Sequence, residues 1–416
     1  MRILVVGSGA REHAIAWKLS RSNRISGLFV APGNAGTEAI ATNLDDVGEG
    51  VEQIVRAARD RRIDIVVVGP ETPLADGIVD ELTSAGITAI GPDRSAARLE
   101  SSKAFSKSFM NRYGIPTAAF RTFDDAGQFE RHLRGTTGRF VVKQSGLAAG
   151  KGVLESDDQD AMIDFARGIV EAGDQVVLEE HLTGYEVSVF GVSDGRSHIL
   201  LPACTDYKKA GVGGSGPNTG GMGAICPVPW LDAKTMDRIV TEVVEPTYRG
   251  MSDAGLSYRG ILYFGIMVTD DGPRVLEYNV RFGDPEAQVL LPLIASDLVD
   301  VFDAMATGSI SSFTPTMSPL SALGVVVAAP GYPSDYPKAL PVDPIPGFSD
   351  DEALVFHAST QRVDGTVLTG GGRCFTVVGM GQGLLNARTR AYRAAKDVTF
   401  PGSWLRPDIG GRVFGN

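Results

Sequence analysis

The first hundred residues alternate short, continuously apolar runs with stretches of helical periodicity. Ile3–Val6, Leu28–Val30, Ile63–Val68 and Ile87–Ile90 read as strands, and Arg11–Leu19, Val51–Arg59 and Leu74–Leu82 read as helices. A strand that is apolar along its whole length needs cover on both faces. The pattern therefore predicts an α/β unit, a parallel sheet between two layers of helix. The middle of the chain changes character. A helix over Lys103–Arg112 precedes a smaller mixed unit: Arg139–Lys143, a glycine-rich turn, Val153-Leu154, a helix over Asp160–Glu171, and Gln175–Glu179. From Val187 to Val280 strands dominate, with glycine-rich loops and one helix near Thr235–Met251. Ser309–Ser321 reads as a linker. Beyond it lie strands at Leu323–Ala329, Ala353–His357 and Cys374–Val378 and a helix at Ala387–Asp397.

The 416 residues suit about three domains at roughly 150 residues each. A hydrophobic fraction of 43% allows real cores. A net charge of −11 argues against nucleic-acid and membrane-surface partners, which favour basic patches. The three cysteines are odd in number and far apart, which disfavours a disulfide framework or a zinc site. The N-terminus runs directly into a strand pattern, unlike a signal peptide. No apolar run nears the roughly 18 residues that span a bilayer. The expectation is a soluble, cytoplasmic protein.

Gly7-Ser8-Gly9-Ala10-Arg11-Glu12 follows a strand and opens a helix, whose free N–H groups suit a phosphate. Glu12 stands where a dinucleotide fingerprint needs its third glycine. No acidic residue ends the second strand, where Val30 leads into Ala31-Pro32-Gly33-Asn34. A phosphorylated small substrate fits better than a nicotinamide; glycines that merely permit tight packing are the alternative. Lys143 to Val153 carries Gly146, Gly150, Lys151 and Gly152, but the spacing is not that of a Walker loop, and both flanks are strand-like. It reads as a hairpin lid over a triphosphate, with a plain surface hairpin as the alternative. In Val177 to Glu186 a strand end could face a purine edge, although such glutamates, taken alone, are more often solvated. On a strand, Glu277, Asn279 and Arg281 share a face, and Leu276, Tyr278 and Val280 take the other. Glu and Asn offer hard oxygen ligands for Mg²⁺ shared with phosphates, and Arg281 offers a planar fork for a carboxylate or phosphate. The alternative is a half-exposed strand with alternating polarity. Asp206-Tyr207-Lys208-Lys209 followed by Gly216–Ala224 can form a backbone nest for an anion, or simply a flexible loop.

Taken in order, the lysine helix, Val142-Lys143, the glycine lid, Leu178-Glu179-Glu180, Gly216–Gly223 and Glu277-Tyr278-Asn279 resemble the ATP-grasp superfamily. Gly7-x-Gly9-x-Arg11-Glu12-His13, Ala31–Thr37, Val68–Glu71, Gly146–Gly152 and Arg281–Glu286 narrow the resemblance to the phosphoribosylamine–glycine ligase family, over nearly the whole chain. The resemblance implies an ATP-grasp fold with a Rossmann-like N-terminal substrate domain (1–102), an ATP-grasp domain (103–310, lid about 116–186) and a small C-terminal α+β domain (311–416). It implies that ATP meets Lys103, Lys143, Gly146, Gly150, Lys151, Gly152, Val153, Glu179, Glu180, Leu182 and Glu186. Glu277 and Asn279 would bind Mg²⁺ or Mn²⁺. Glycine and 5-phosphoribosylamine would meet Gly9, Asn34, Gly36, Thr37, Pro70, Glu71, Asp206, Lys208, Pro217, Asn218, Thr219, Gly220, Arg281 and Gly283. Arg281, Lys151 and Lys143 would be the catalytic groups.

Two departures stand out. Relatives often have His-Lys-Arg where this chain has Tyr207-Lys208-Lys209, which leaves the role of Lys208 open. Many ATP-grasp enzymes place an acidic ligand on the strand beside Glu-x-Asn, and here Gly260–Val268 has none. By the resemblance, ATP activates glycine as glycyl phosphate, the amine of phosphoribosylamine displaces phosphate, and transient channelling with other purine-pathway enzymes is compatible with this. A different ATP-grasp carboxylate–amine ligase of purine metabolism, an ATP-binding sensor without chemistry and a Rossmann oxidoreductase are the competing readings.

Overall fold

The computed structural model describes residues 1–48, 50–148 and 152–411. The sequence-predicted lid residues Gly150 and Lys151 lie outside the described residues.

The N-terminal strands form as the apolar runs predict. Thr42-Asn43, Gly27–Pro32, Arg2–Gly7, Ile65–Val68 and Thr88–Pro92 pair in parallel in that spatial order. The predicted helix over 74–82 is two short ones, Glu71–Ala75 and Ile78–Ser84. Gly77 separates them at φ +85°, a conformation that a side chain rarely adopts. Glu12 fills the first turn: its carboxylate accepts the Gly9 N–H at 2.6 Å and pairs with Arg11. A Cβ on Gly69 would lie 2.0 Å from Glu12. The acid thus occupies the space that a pyrophosphate would need.

The sheet does not end with the parallel strands. Tyr258 and Arg259, at the start of strand Tyr258–Thr269, pair antiparallel with Pro92 and Gly91. Tyr185–Asp194, His198–Asp206, Gly223–Cys226, Ser321–Ala328, Arg373–Gly381 and Leu354–His357 then follow in one 13-stranded sheet. Gly272–Asn279 branches from the other edge of Tyr258–Thr269. The separate four-stranded lid sheet has the order Phe120–Phe123, Val176–Glu180, Phe140–Gln144, Val153–Ser156. Helices Ala126–Arg134 and Gln159–Glu171 cover one face of it around Phe129, Leu133 and Met162.

The helix expected near 235–251 forms, running without a break from Ala233 to Asp253 with a π turn at Val240–Val244. One expectation needs correction. Ser309–Ser321 is not a free linker. Ile310 is fully buried, Ala295 N–H donates to the Thr316 carbonyl and Ser318 N–H to that of Leu293, and Ser321 already starts a strand. Apolar residues hidden in a Ser/Thr/Pro-rich stretch anchor it.

The N-terminal sheet and the C-terminal part meet at His13, whose Nδ1 accepts the His357 N–H at 2.9 Å. Burial pushes His13 down to about 3 and His357 to about 4. The unfolded chain therefore binds more protons below pH 6.5, and stability falls as pH drops from there toward those values. Each imidazole adds about 1.4 kcal/mol per pH unit to that slope. His13→Asn, which keeps an acceptor for His357, is expected to flatten the pH 6.5–4 slope by about that amount in urea unfolding. An unchanged slope would refute this account.

Candidate active site

Ser102 ends helix Arg94–Ser101 in an extended conformation and caps helix Lys103–Arg112 by accepting the Phe105 N–H. The cap places Lys103 in the first turn of the new helix. Opposite stands the lid sheet. Val141 pairs with Glu179 and Lys143 with Val177, so Lys143 and Glu179 are diagonal neighbours on the face away from the lid core. Their Nζ–Oε1 distance is 2.9 Å.

Strand Gly272–Asn279 forms the facing wall. Glu277 pairs with Gly265 and Asn279 with Tyr263, but the register slips between Gly265 and Ile266. The slip is a bulge at Leu276. Tyr278 and Val280 pack inward as expected, whereas Leu276 turns to the cavity beside Glu277, correcting its assignment to the core face. The cavity between the two walls measures ≈ 930 Å³. It brings together Lys103, Lys143, Gly152, Val153, Glu179, Glu180, Leu182, Glu186, Glu71, Asp206, Lys208, Asn218, Thr219, Gly220, Glu277, Asn279, Arg281 and Gly283. Gly146 lies beside it, its carbonyl accepting from Lys103 Nζ at 3.3 Å.

Charge is balanced across this space. Lys208 Nζ sits 3.0 Å from Glu186 and 3.7 Å from Glu277. Burial alone would lower the Lys208 pKa, but Glu186 and Asp206 outweigh it and raise it well above the lysine range. Burial would likewise raise Glu277, but Lys208, Lys143 and Lys103 outweigh it and bring it to about 2. Glu277 therefore stays ionised at neutral pH while 40% of its side chain remains open. Lys208, whose role the sequence left open, is a counter-cation between two carboxylates.

Arg281 is engaged by the protein itself. It donates to Glu100 at 2.6 Å and to the Phe282 carbonyl, with Glu71 looser at 3.4 Å. An incoming carboxylate or phosphoryl group has to compete with Glu71. Several expected substrate contacts lie outside the lining of this cavity. The Gly9 amide is taken by Glu12. The Asn34 amide donates to the Ser8 and His357 carbonyls, and its oxygen accepts from Gly36 and Thr37 N–H, so it holds its own loop. Gly36 faces a second cavity with His13 and His357. Thr37 is fully buried and Pro70 and Pro217 are not in the lining.

Some site residues escaped sequence reasoning. Glu100 accepts the Val280 N–H and anchors Arg281. Arg373, from the C-terminal part, donates to the Gly220, Gly221 and Asp284 carbonyls and pairs with the Asp284 carboxylate at 3.2 Å. Lys107 pairs with Glu179 at 2.8 Å. Lys107 had one available signal, since it stands four residues after Lys103 on the same helical face.

A lysine-bearing antiparallel lid sheet, closed over a Glu-x-Asn strand, defines an ATP-grasp enzyme. Three family models match in succession: the N domain of phosphoribosylglycinamide synthetase over residues 1–100, its ATP-grasp (A) domain over 101–287 and its C domain over 322–412. The chain belongs to the phosphoribosylglycinamide synthetase family. It is 43% identical to the phosphoribosylamine–glycine ligase of Rhizobium meliloti, with 99% of each chain covered. The crystal structure of the Thermotoga maritima phosphoribosylamine–glycine ligase superposes with a TM-score of 0.87 at 34% identity, over 98% of this chain and 100% of that one. A biotin carboxylase domain from Hydrogenobacter thermophilus shares the fold, with a TM-score of 0.73 at 17% identity, over 97% of this chain and 91% of that one.

Arg373→Met leaves three carbonyls and a carboxylate without their cation. Hydrogen bonds to a charged group contribute roughly 1.5–3 kcal/mol each. Loosening of the Gly220–Gly221 and Gly283–Pro285 turns is expected to lower kcat/KM at least about tenfold while the ATP Kd stays within twofold. Steady-state kinetics alongside calorimetric ATP titration check this, and an unchanged kcat/KM would count against it.

Proposed function

We propose that this ATP-dependent ligase joins glycine to 5-phospho-D-ribosylamine, giving glycinamide ribonucleotide, ADP and phosphate, the second step of de novo purine synthesis. The observation that carries the reading is the convergence of Lys103 from its helix, Lys143 from the lid sheet, and Glu277, Asn279 and Lys208 on a single cavity. A carboxylate acylates amines poorly. The γ-phosphoryl group of ATP passes to a glycine carboxylate oxygen, giving glycyl phosphate and ADP. The amine of phosphoribosylamine then attacks the carbonyl carbon, the C–O bond to phosphate breaks and the amine proton leaves to solvent. No side-chain nucleophile is needed, so the protein acts by alignment and charge stabilisation. Lys103 and Lys143 supply positive potential for the phosphates. Arg281, once Glu71 yields, takes glycine's carboxylate or the transferring phosphoryl group. The lid sheet keeps water from the acyl phosphate.

Among the described residues, no group of three or more His, Cys, Asp or Glu is placed to hold a metal alone. Glu277 and Asn279 provide hard oxygen donors too few for a protein-built cage, which suits Mg²⁺ or Mn²⁺ shared with nucleotide oxygens. Held by Glu277 and Asn279, such an ion would supply positive charge against the nucleotide phosphates. We place the functional divisions near residues 102 and 310, and the enzyme in the cytoplasm. Among the described residues no helix is long and apolar enough to cross a membrane. Direct transfer of the short-lived phosphoribosylamine from a neighbouring pathway enzyme is compatible with this reading.

ADP release is expected to require glycine and phosphoribosylamine together, with the ribonucleotide amide appearing in equal amount by mass spectrometry. Glycine-dependent ADP release without the amine, and without amide, would point to another ligase. Glu277→Gln combined with Asn279→Leu is expected to reduce turnover at least about a hundredfold at saturating Mg²⁺, as for loss of preorganised charge stabilisation. Survival of turnover would remove the metal assignment.

A further inference from the structure

Lys107 lies one helical turn beyond Lys103, yet only 2% of its side chain is exposed. Its ammonium donates to Glu179 Oε2 at 2.8 Å and to Thr117 Oγ1 at 2.7 Å. The other Glu179 oxygen meets Lys143 at 2.9 Å. Thr117 passes the chain on, donating to the Val275 carbonyl at 2.6 Å, and Val275 N–H returns to the Pro116 carbonyl at 2.8 Å. A continuous polar path therefore runs from the strand that carries Glu277, through Thr117, Lys107 and Glu179, to Lys143 on the lid sheet.

The ends of this path are the two walls of the cavity, and Lys107 and Glu179 in its middle belong to the lining but expose little surface. Glu179 is also only 2% exposed, so neither it nor Lys107 offers much surface to a nucleotide. Two ammonium groups share one buried carboxylate, which is costly unless the geometry is kept. Burial brings Lys107 to about 8, with Glu179 acting against that fall. A merely stabilising role would be served by an apolar side chain, since Met110 and Phe109 on the same helix are already buried.

We propose that Lys107 is a positioning residue for the nucleotide: it fixes Glu179 from behind, so that Lys143 is held facing the Glu277 strand, and through Thr117 it ties the lid sheet to that strand. The proposal rests on the reading that the cavity takes ATP. Lys107 acts through Lys143 and touches no substrate.

The test is calorimetric ATP binding, supported by steady-state kinetics. Lys107→Met is expected to raise the ATP Kd and the KM for ATP roughly tenfold, the scale of coupling between residues in one buried network, with the glycine KM within twofold. In a Glu179→Gln background the same substitution is expected to change the ATP Kd less than twofold, because its route to Lys143 is already cut. A folded Lys107→Met variant that binds ATP like the wild type would overturn the proposal, as would an undiminished tenfold effect in the Glu179→Gln background. Should Lys107→Met fail to fold, Thr117→Val decides. It cuts the tether to Val275 and keeps the Lys107–Glu179 pair. A threefold or larger rise in ATP Kd supports the proposal, and a smaller change overturns it. ATP binding is read without amide formation, so a wild-type chain that binds ATP but makes no amide fails the reaction reading alone. A wild-type chain that does not bind ATP overturns both.

Discussion

Strand Tyr258–Thr269 has three partners, and the placement of the site follows from them. Its first two residues continue the parallel sheet, one edge runs the full length of Tyr185–Asp194, and the other carries Gly272–Asn279. Backbone ladders fix register, so Glu277 and Asn279 have fixed positions relative to both Lys208's strand neighbourhood and the N-terminal loops that supply Glu71 and Glu100. Glycines mark the crowded points. A Cβ on Gly260 would come within 3.1 Å of the Gly91 Cα, and one on Gly265 within 3.2 Å of the Glu277 Cγ. An acid on this strand directly opposite Glu277 would crowd the Glu277 side chain.

The geometry is maintained by charges that neutralise one another before any ligand arrives. Lys143 and Lys107 share Glu179, Lys208 lies between Glu186 and Glu277, and Arg281 between Glu100 and Glu71. Buried pairs of this kind contribute little net stability, because desolvation offsets attraction. Their value here is orientation. A lysine already held by a carboxylate reorganises less when a phosphate approaches, which is the condition for electrostatic catalysis. The chain's overall charge of −11 says nothing against anionic ligands once the local balance is known.

The sequence exposed what depends on local pattern. Continuous apolar runs gave the parallel strands, Glu12 excluded the dinucleotide turn, and the period of two put Glu277 and Asn279 on one face. It hid what depends on a partner far along the chain. Strict alternation puts Leu276 on the core face, but a bulge is a property of two strands in register, not of one. The Asn34 loop matches a family motif, but the sequence does not show that the Asn34 amide bonds to the carbonyl of His357, 323 residues away. Ile310 was lost among serines and prolines, although one buried side chain is enough to turn a linker into a packed segment.

The same long-range dependence explains what the C-terminal part adds to a site built mostly by others. It braces three loops by hydrogen bonds, two of them in the cavity lining. His357 holds the Asn34 loop, Arg373 holds Gly220 and Gly221 against Asp284, and Arg406 donates to the Lys209 carbonyl while Asp408 accepts the Gly213 N–H. Glycine-rich loops lose much backbone entropy on ordering. External donors and acceptors that fix their carbonyl and amide groups offset that cost without narrowing the cavity. Glycine is needed where backbone must approach a ligand closely, and the flexibility it brings is removed from the far side. The C-terminal segment therefore contributes rigidity to loops whose composition would otherwise leave them loose.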